Sequence, residues 1–222
     1  MEETITDIKM EFVNWIQDSQ FPCIGAKVAA NKNLLSLIIC PDIDSGQSDR
    51  YILRHIYQFI GLWKNDRELL QSFVVIFKNP VDLSEIMFER MLWRRLQALH
   101  NLDREWHSWD HRVSSEVTNP DFSFSLGNTG FFVIGLHQNS ARKARQFTYP
   151  TLVFNLHEQF QILRNCGSFQ NMRDKIRCRD VQLSGSINPM VSDFGESSEA
   201  LQYSGRNTSK HYRCPFIYMN KK

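Results

Sequence analysis

Few side chains in this sequence are spaced to do chemistry by themselves, and the most informative close the run Leu96-Gln97-Ala98-Leu99-His100-Asn101-Leu102-Asp103. His100 follows Leu96 by one helical turn and Leu92 by two, which places its imidazole on an apolar helix stripe. Asp103 stands one turn farther along the same face. A carboxylate there can hold Nδ1–H and leave Nε2 free to bind a metal or move a proton. A core histidine salted to its helix neighbour satisfies the same spacing.

Trp106, His107, Trp109, Asp110 and His111 then crowd aromatic and polar groups into a short stretch. Such density suits a pocket that grips something flat or cationic, and it equally suits a helix-to-loop junction packed down by its tryptophans. Farther on, His137-Gln138-Asn139-Ser140-Ala141-Arg142-Lys143-Ala144-Arg145 leads from a strand into a basic segment. Arg142 and Arg145, three apart, can present two guanidinium forks to carboxylates or phosphates on a ligand if the segment is helical. A solvated basic loop is the plainer alternative. Asp193, Glu196 and Glu199 form an acidic loop whose carboxylates could hold a cation or cap a helix.

The common signatures are missing. No G-x-G-x-x-G, Walker loop, G-x-S-x-G, H-E-x-x-H or C-x-x-C-H occurs, and the D-x-D-x-G at Asp42, Asp44 and Gly46 lacks the glutamate that closes a calcium loop. The 26 basic and 24 acidic residues are spread evenly and give a net charge of +2, which sets up no field for nucleic acid or anionic lipid. Cys23, Cys40, Cys166, Cys178 and Cys214 are odd in number and never paired as C-x-x-C, so a reducing, cytoplasmic setting is expected over a disulfide framework. Met1 to Asp18 is acidic and amphipathic, unlike a secretory signal, and no apolar run approaches the roughly 20 residues that span a bilayer.

The elements that must position these groups are read from periodicity. Ile8, Phe12, Val13 and Ile16 predict a first helix, and Ile52, Ile56, Phe59, Ile60 and Trp63 predict a second. Phe88, Leu92, Leu96 and Leu99 predict a long third helix over residues 83–104. Residues 34–40, closed by Pro41, and 72–77, closed by Asn79-Pro80, read as buried strands. Phe122, Phe124 and Leu126, the turn Gly127-Asn128-Thr129-Gly130 and the run 131–136 read as a β-hairpin. Residues 151–154 add a possible strand, and 158–164 and 169–179 two short helices. With 42% hydrophobic residues and 16 Phe, the whole chain, 1–222, is expected to form a single domain of α/β (or α+β) class. Its core is expected to be a mixed sheet of about four to six strands packed by helices.

Phe21-Pro22-Cys23, the 96–103 run, Trp109-Asp110, the 122–136 hairpin, Ser140-Ala141-Arg142-Lys143-Ala144-Arg145, Ile176-Arg177-Cys178-Arg179-Asp180, Gly185-Ser186-Ile187-Asn188-Pro189-Met190, Gln202-Tyr203-Ser204-Gly205-Arg206 and Cys214-Pro215-Phe216 stand in order along nearly the whole chain. In these blocks the sequence resembles the YqcI/YcgG family, and within it the heme-dependent N-hydroxylases. The resemblance implies a noncovalent heme b, dioxygen, an electron-donor system and a small guanidine-bearing substrate. No nucleic acid and no membrane partner are expected, on the even charge and the short apolar runs.

With heme implied, His100 is the expected axial ligand, with His137, Cys214 and Cys23 as alternatives, the last two as thiolates. Arg142 and Arg145 are expected to meet the heme propionates or a substrate carboxylate. Asp103 and Asp110 are the expected catalytic carboxylates, and Asp193, Glu196 and Trp109, with Asp110, the expected grip on the guanidinium. A heme-binding sensor or carrier without oxygenase activity, and a metal-free small-molecule binding module, are the competing expectations.

Overall fold

Thr4 and Asp7 start the first helix reciprocally, the Thr4 hydroxyl accepting from the Asp7 N–H at 3.2 Å and the Asp7 carboxylate accepting from the Thr4 N–H at 3.0 Å. The helix, α1 (Ile5–Gln17), buries Ile8, Phe12 and Ile16, the stripe its spacing predicts. The computed structural model describes residues 4–67, 70–186, 196–208 and 212–221. A second helix, α2 (Ile24–Asn31), has no apolar stripe to announce it. It buries Gly25, Ala29 and Ala30, whose smallness lets the helix lie close.

Strand β1 (Leu35–Asp42), helix α3 (Asp49–Asp66) and strand β2 (Ser72–Asn79) form a crossover unit in which the two strands run parallel. Pro41 does not end β1 as its position suggests. β1 is an edge strand, so a missing N–H on its open side costs no ladder bond. The long helix α4 (Glu85–Asp103) follows, capped by the Ser84 hydroxyl. The hairpin of β3 (Phe124–Leu126) and β4 (Thr129–Leu136) turns at Gly127 and Asn128, both at φ near +58, the left-handed pair that a two-residue hairpin requires. Strand β5 (Thr151–Leu156) completes the sheet, and α5 (His157–Asn165) and α6 (Ser168–Ser184) follow.

The sheet is mixed and five-stranded, in the order β1-β2-β5-β4-β3, with every pair but the first antiparallel. Side chains alternate between two cores. Phe73, Val75 and Phe77 of β2 and Leu152, Phe154 and Leu156 of β5 pack under α3 and α4, whereas Val74, Ile76 and Val153 face α1 and Phe147. The fold is thus the expected α/β arrangement, a sheet covered by helices on both faces. Among the described residues no helix is long and apolar enough to cross a membrane.

Register divides the functional candidates between the two ends of the sheet. Ser72 pairs with Asn155, and Leu156 with Phe131, so one end carries the start of β4 and the His157 that opens α5. Asp42 pairs with Asn79, Ile76 with Thr151 and Thr151 with Leu136, so the other end carries the finish of both parallel strands and, one residue beyond β4, His137. Seven residues of extended chain separate Gly130 from His137, roughly 23 Å.

Candidate functional site

His100 is buried in α4 as its spacing predicts, but its partners are different. Its Nε2 accepts a hydrogen bond from the Met219 N–H at 3.0 Å, and the rings of Trp109, Phe216 and Tyr218 lie 5.5, 5.2 and 5.7 Å from its own. Burial pushes its pKa down to about 4, so the ring is neutral. Asp103 does not hold it. Oδ1 of Asp103 accepts instead from the Tyr57 hydroxyl at 2.6 Å, the Gly127 N–H at 3.0 Å and His107 Nδ1 at 3.1 Å. Burial raises the Asp103 pKa while those donors pull it down. The expected His100–Asp103 pair is therefore corrected: two residues on one helix face turn to different neighbours, and Nε2 of His100 is already occupied.

Trp109 belongs to the box around His100 and donates its indole N–H to the Ser114 carbonyl at 3.3 Å. It is a wall, not an open platform. Asp110 is buried and saturated by the chain itself. It receives a two-pronged fork from Arg112, with Nε at 2.9 Å and Nη2 at 2.8 Å, and the Gly130 N–H at 2.9 Å. Although burial opposes ionisation, these donors hold its pKa below the usual carboxylate range. Asp110 does bind a guanidinium, and it is that of Arg112, which also pairs with Glu158.

At the other end of the sheet His137 is 1% exposed, and its Nδ1 has no hydrogen-bond partner. Its ring stacks on Phe88, centroids 4.4 Å apart and 23° from parallel. Burial lowers its pKa, and the Glu85 carboxylate and a hydrogen bond to the Leu83 backbone offset part of that. The loop after it folds back at once, the His137 N–H donating to the Arg145 carbonyl at 3.1 Å. Asn139 and Ala141 tie the loop to the start of α4 through Asp82 at 2.8 Å and Glu85 at 3.0 Å.

The basic segment is a 3-10 turn, Lys143–Arg145, in which Arg145 and the preceding Arg142 are buried while Lys143 is exposed. Arg142 pairs with Asp180 of α6 and donates to the Ser186 carbonyl at 2.8 Å. Arg145 donates to the Tyr203 carbonyl at 3.1 Å and the Gly135 carbonyl at 3.3 Å. Gly205, at φ +81, lies against it so closely that a Cβ there would stand 2.7 Å from Arg145 Cδ. Arg145 meets His137 through its carbonyl, and both arginines already have partners.

Cys23 caps α2, its Sγ accepting from the Ala26 N–H at 3.4 Å, and Cys214 packs at the edge of the larger core. Burial raises both thiol pKa values, that of Cys214 to about 12, so neither presents a ready thiolate. Glu196 stands exposed in the turn before the 3-10 turn Glu199–Gln202. Asp193 lies outside the described residues.

Spacing does not reveal a second cluster. A cavity of about 450 Å³, lined by His111, Arg112, Asn119, Asp121, His157 and Gln161 among others, opens at the His157 end. His157 Nδ1 lies 3.0 Å from the Ser123 hydroxyl, which donates to Glu199 at 2.7 Å. The Gln161 amide meets His157 Nε2 at 3.1 Å. Burial pushes His157 down to about 4 and Glu199 up to about 7. The one sequence sign was a serine alternating with phenylalanines in Phe122-Ser123-Phe124, a polar residue on a strand face that must find a buried partner.

The sequence model of the YqcI/YcgG family matches residues 12–217. No curated protein and no solved structure matches the chain.

Proposed function

The chain belongs to the YqcI/YcgG family, and from that premise we propose that it is a heme-dependent N-hydroxylase acting on a small guanidine-bearing molecule. In its sequence blocks it is similar to the heme-dependent N-hydroxylase of guanitoxin biosynthesis. The observation that carries the reading is the buried, unpartnered Nδ1 of His137. A histidine that ligates a metal is neutral and uses its other ring nitrogen to fix its orientation, typically on a backbone carbonyl or a carboxylate. His137 meets the first condition through its lowered pKa, and the Leu83 backbone and the Phe88 ring lie against it. Among the described residues no three His, Cys, Asp or Glu side chains converge on a metal-ion site, whereas a heme iron asks the chain only for axial ligation. In this reading His137, in place of His100, would hold the heme iron.

Heme b, when bound, supplies the activation of dioxygen with electrons from a donor system. The chain supplies position and charge. Phe88 holds the His137 ring by stacking. Arg142 would meet a propionate by exchanging one carboxylate, Asp180, for another, and Arg145 is fixed on carbonyls as the floor of the loop. Glu85, whose charge reaches His137, would take the guanidinium that the saturated Asp110 has no room for. The finish of two parallel strands is where open α/β sheets place ligands, and His137 stands there. Five cysteines, all free, agree with work in a reducing, cytoplasmic compartment.

The test is the absorption spectrum of the purified full chain after incubation with hemin. A Soret band in the wild type and in His100→Ala, lost or shifted in His137→Ala, supports the assignment. A wild type that stays colourless overturns it. Pigmented protein that converts no guanidine in the presence of reductant and dioxygen would make the chain a heme-binding sensor or carrier.

A further inference from the structure

The cluster behind the 450 Å³ cavity lies at the opposite end of β4 from His137, so what it does stands apart from the heme reading. Its hydrogen bonds have one consistent direction. An amide nitrogen can only donate, so Gln161 donates to Nε2 of His157, and the neutral ring must carry its proton on Nδ1. Nδ1–H then donates to the Ser123 oxygen, and the Ser123 hydroxyl donates to Glu199. The chain ends on a carboxylate inside the protein and begins on an acceptor nitrogen at the cavity wall. A donor arriving in the cavity competes with the Gln161 amide for that nitrogen.

Charge on the wall selects the ligand's sign. Arg112 is already neutralised, since Asp110 takes its fork and Glu158 its remaining arm. Asp121 lines the cavity with no ion-pair partner among the described residues. We propose that this cavity binds a small cation bearing N–H donors, an ammonium or guanidinium compound. Asp121 holds its charge, one N–H replaces the Gln161 amide on His157 Nε2, and Glu199 behind Ser123 supplies the buried counter-charge.

Ionisation of Glu199 is then linked to occupancy. Glu199 faces Arg164 of α5, Ser123 and Tyr203, and His157 faces Arg164, Asp110, Arg112 and Asp121. Of the buried groups here Glu199, at about 7, is the one that changes charge near neutrality, and a bound cation favours its ionised form; the exposed imidazole of His111 also lines the cavity. The site binds more tightly as pH rises through 7.

Two probe salts test this on the full chain by NMR: methylguanidinium chloride, which carries N–H donors, and tetramethylammonium chloride, which does not. Methylguanidinium should shift the His157 and Asp121 resonances saturably, with affinity rising about threefold from pH 6 to pH 8. Tetramethylammonium should leave His157 unmoved. Asp121→Asn, at an exposed position that does not threaten the fold, should weaken methylguanidinium about fivefold. Glu199→Gln should flatten the pH profile, and His137→Ala should leave binding as in the wild type. Absence of a saturable shift, equal responses to the two salts, or an Asp121→Asn/Glu199→Gln protein that keeps wild-type affinity and pH profile would overturn the proposal.

Discussion

Tyr57 donates its phenolic proton to Asp103 across 2.6 Å, and this bond ties α3 to the last turn of α4. Burial pushes the Tyr57 pKa well up and the adjacent carboxylate adds to it, so the phenol stays protonated and keeps donating. Tyr57→Phe leaves Asp103 with Gly127 and His107, and should cost about 1.5–3 kcal/mol, the range for a bond to a charged group. Asp103→Ala should cost more, because it strands the Tyr57 hydroxyl and the Gly127 N–H together. Denaturant titration measures both, and a Tyr57→Phe protein as stable as the wild type would show that the bond contributes nothing net.

Three of the buried groups with shifted pKa values, His100, His157 and Glu199, bear on the acid side of the stability curve. His100 and His157 have pKa values of about 4 in the fold against an ordinary 6.5, so the unfolded chain binds more protons between those values. Stability from this source rises as pH rises from about 4 to 6.5. Glu199 works in reverse: at about 7 against an ordinary 4.5 it holds its proton longer in the fold, and its contribution falls from pH 4.5 to 7. The two histidines outweigh the glutamate, and His137, whose pKa burial also lowers, adds to them, so the wild type should gain stability between pH 4.5 and 6.5. Glu199→Gln should steepen that gain, and His100→Phe with His157→Gln should abolish or invert it. Melting temperatures at half-unit pH steps read the slopes.

Local pattern carried the framework but not the partners. Phe88, Leu92, Leu96 and Leu99 disclosed α4 because a helix stripe is a property of neighbours in sequence, and the hairpin was legible in its alternation and its Gly127-Asn128 turn. α2 was not, since alanines and a glycine form its buried face. The orientation of His100 and Asp103 was out of reach for another reason. Asp103 is claimed by Tyr57, 46 residues away, and His100 by Met219, 119 away. His157, Ser123 and Glu199 meet across separations of 34 and 76 residues. Side chains on one helix face share a direction, yet which neighbour each one meets is decided by the other elements that pack there.

Gly135 bears on His137 without touching it. A Cβ at Gly135 would stand 2.6 Å from the Phe88 ring and 2.7 Å from Leu92, contacts that force the ring to move. Gly135→Ala should cost about 1–3 kcal/mol by overpacking. Because Phe88 is the surface on which His137 stacks, the same substitution should also loosen hemin, raising its dissociation constant while every proposed ligand stays in place. Gly61→Ala, at a position where a Cβ meets nothing within 4 Å, is the control. A Gly135→Ala protein that is destabilised but binds hemin as the wild type does would separate Phe88 from the site.

Asp110 and Arg112 allow the grip on a guanidinium to be separated from the grip on the fold. The sequence places Asp110 where a substrate guanidinium could be held, and in the structure Arg112 occupies the carboxylate with a fork while the Gly130 N–H takes Oδ2 from behind. Removing one partner of such a pair leaves the other buried and uncompensated. Asp110 is 2% exposed, whereas the Arg112 side chain, at 43%, can turn to water. Arg112→Leu should therefore cost more than Asp110→Asn, because it leaves the buried charge without its counter-ion, up to the ~3–5 kcal/mol known for broken buried pairs. The double variant should recover part of that loss, with a coupling energy of about 0.5–3 kcal/mol. Hemin affinity should stay as in the wild type in all three proteins, since Asp110 and His137 cap opposite ends of β4. A guanidine dissociation constant that rises in Asp110→Asn at unchanged stability would return Asp110 to the substrate site and show that the Arg112 fork opens to admit a second guanidinium.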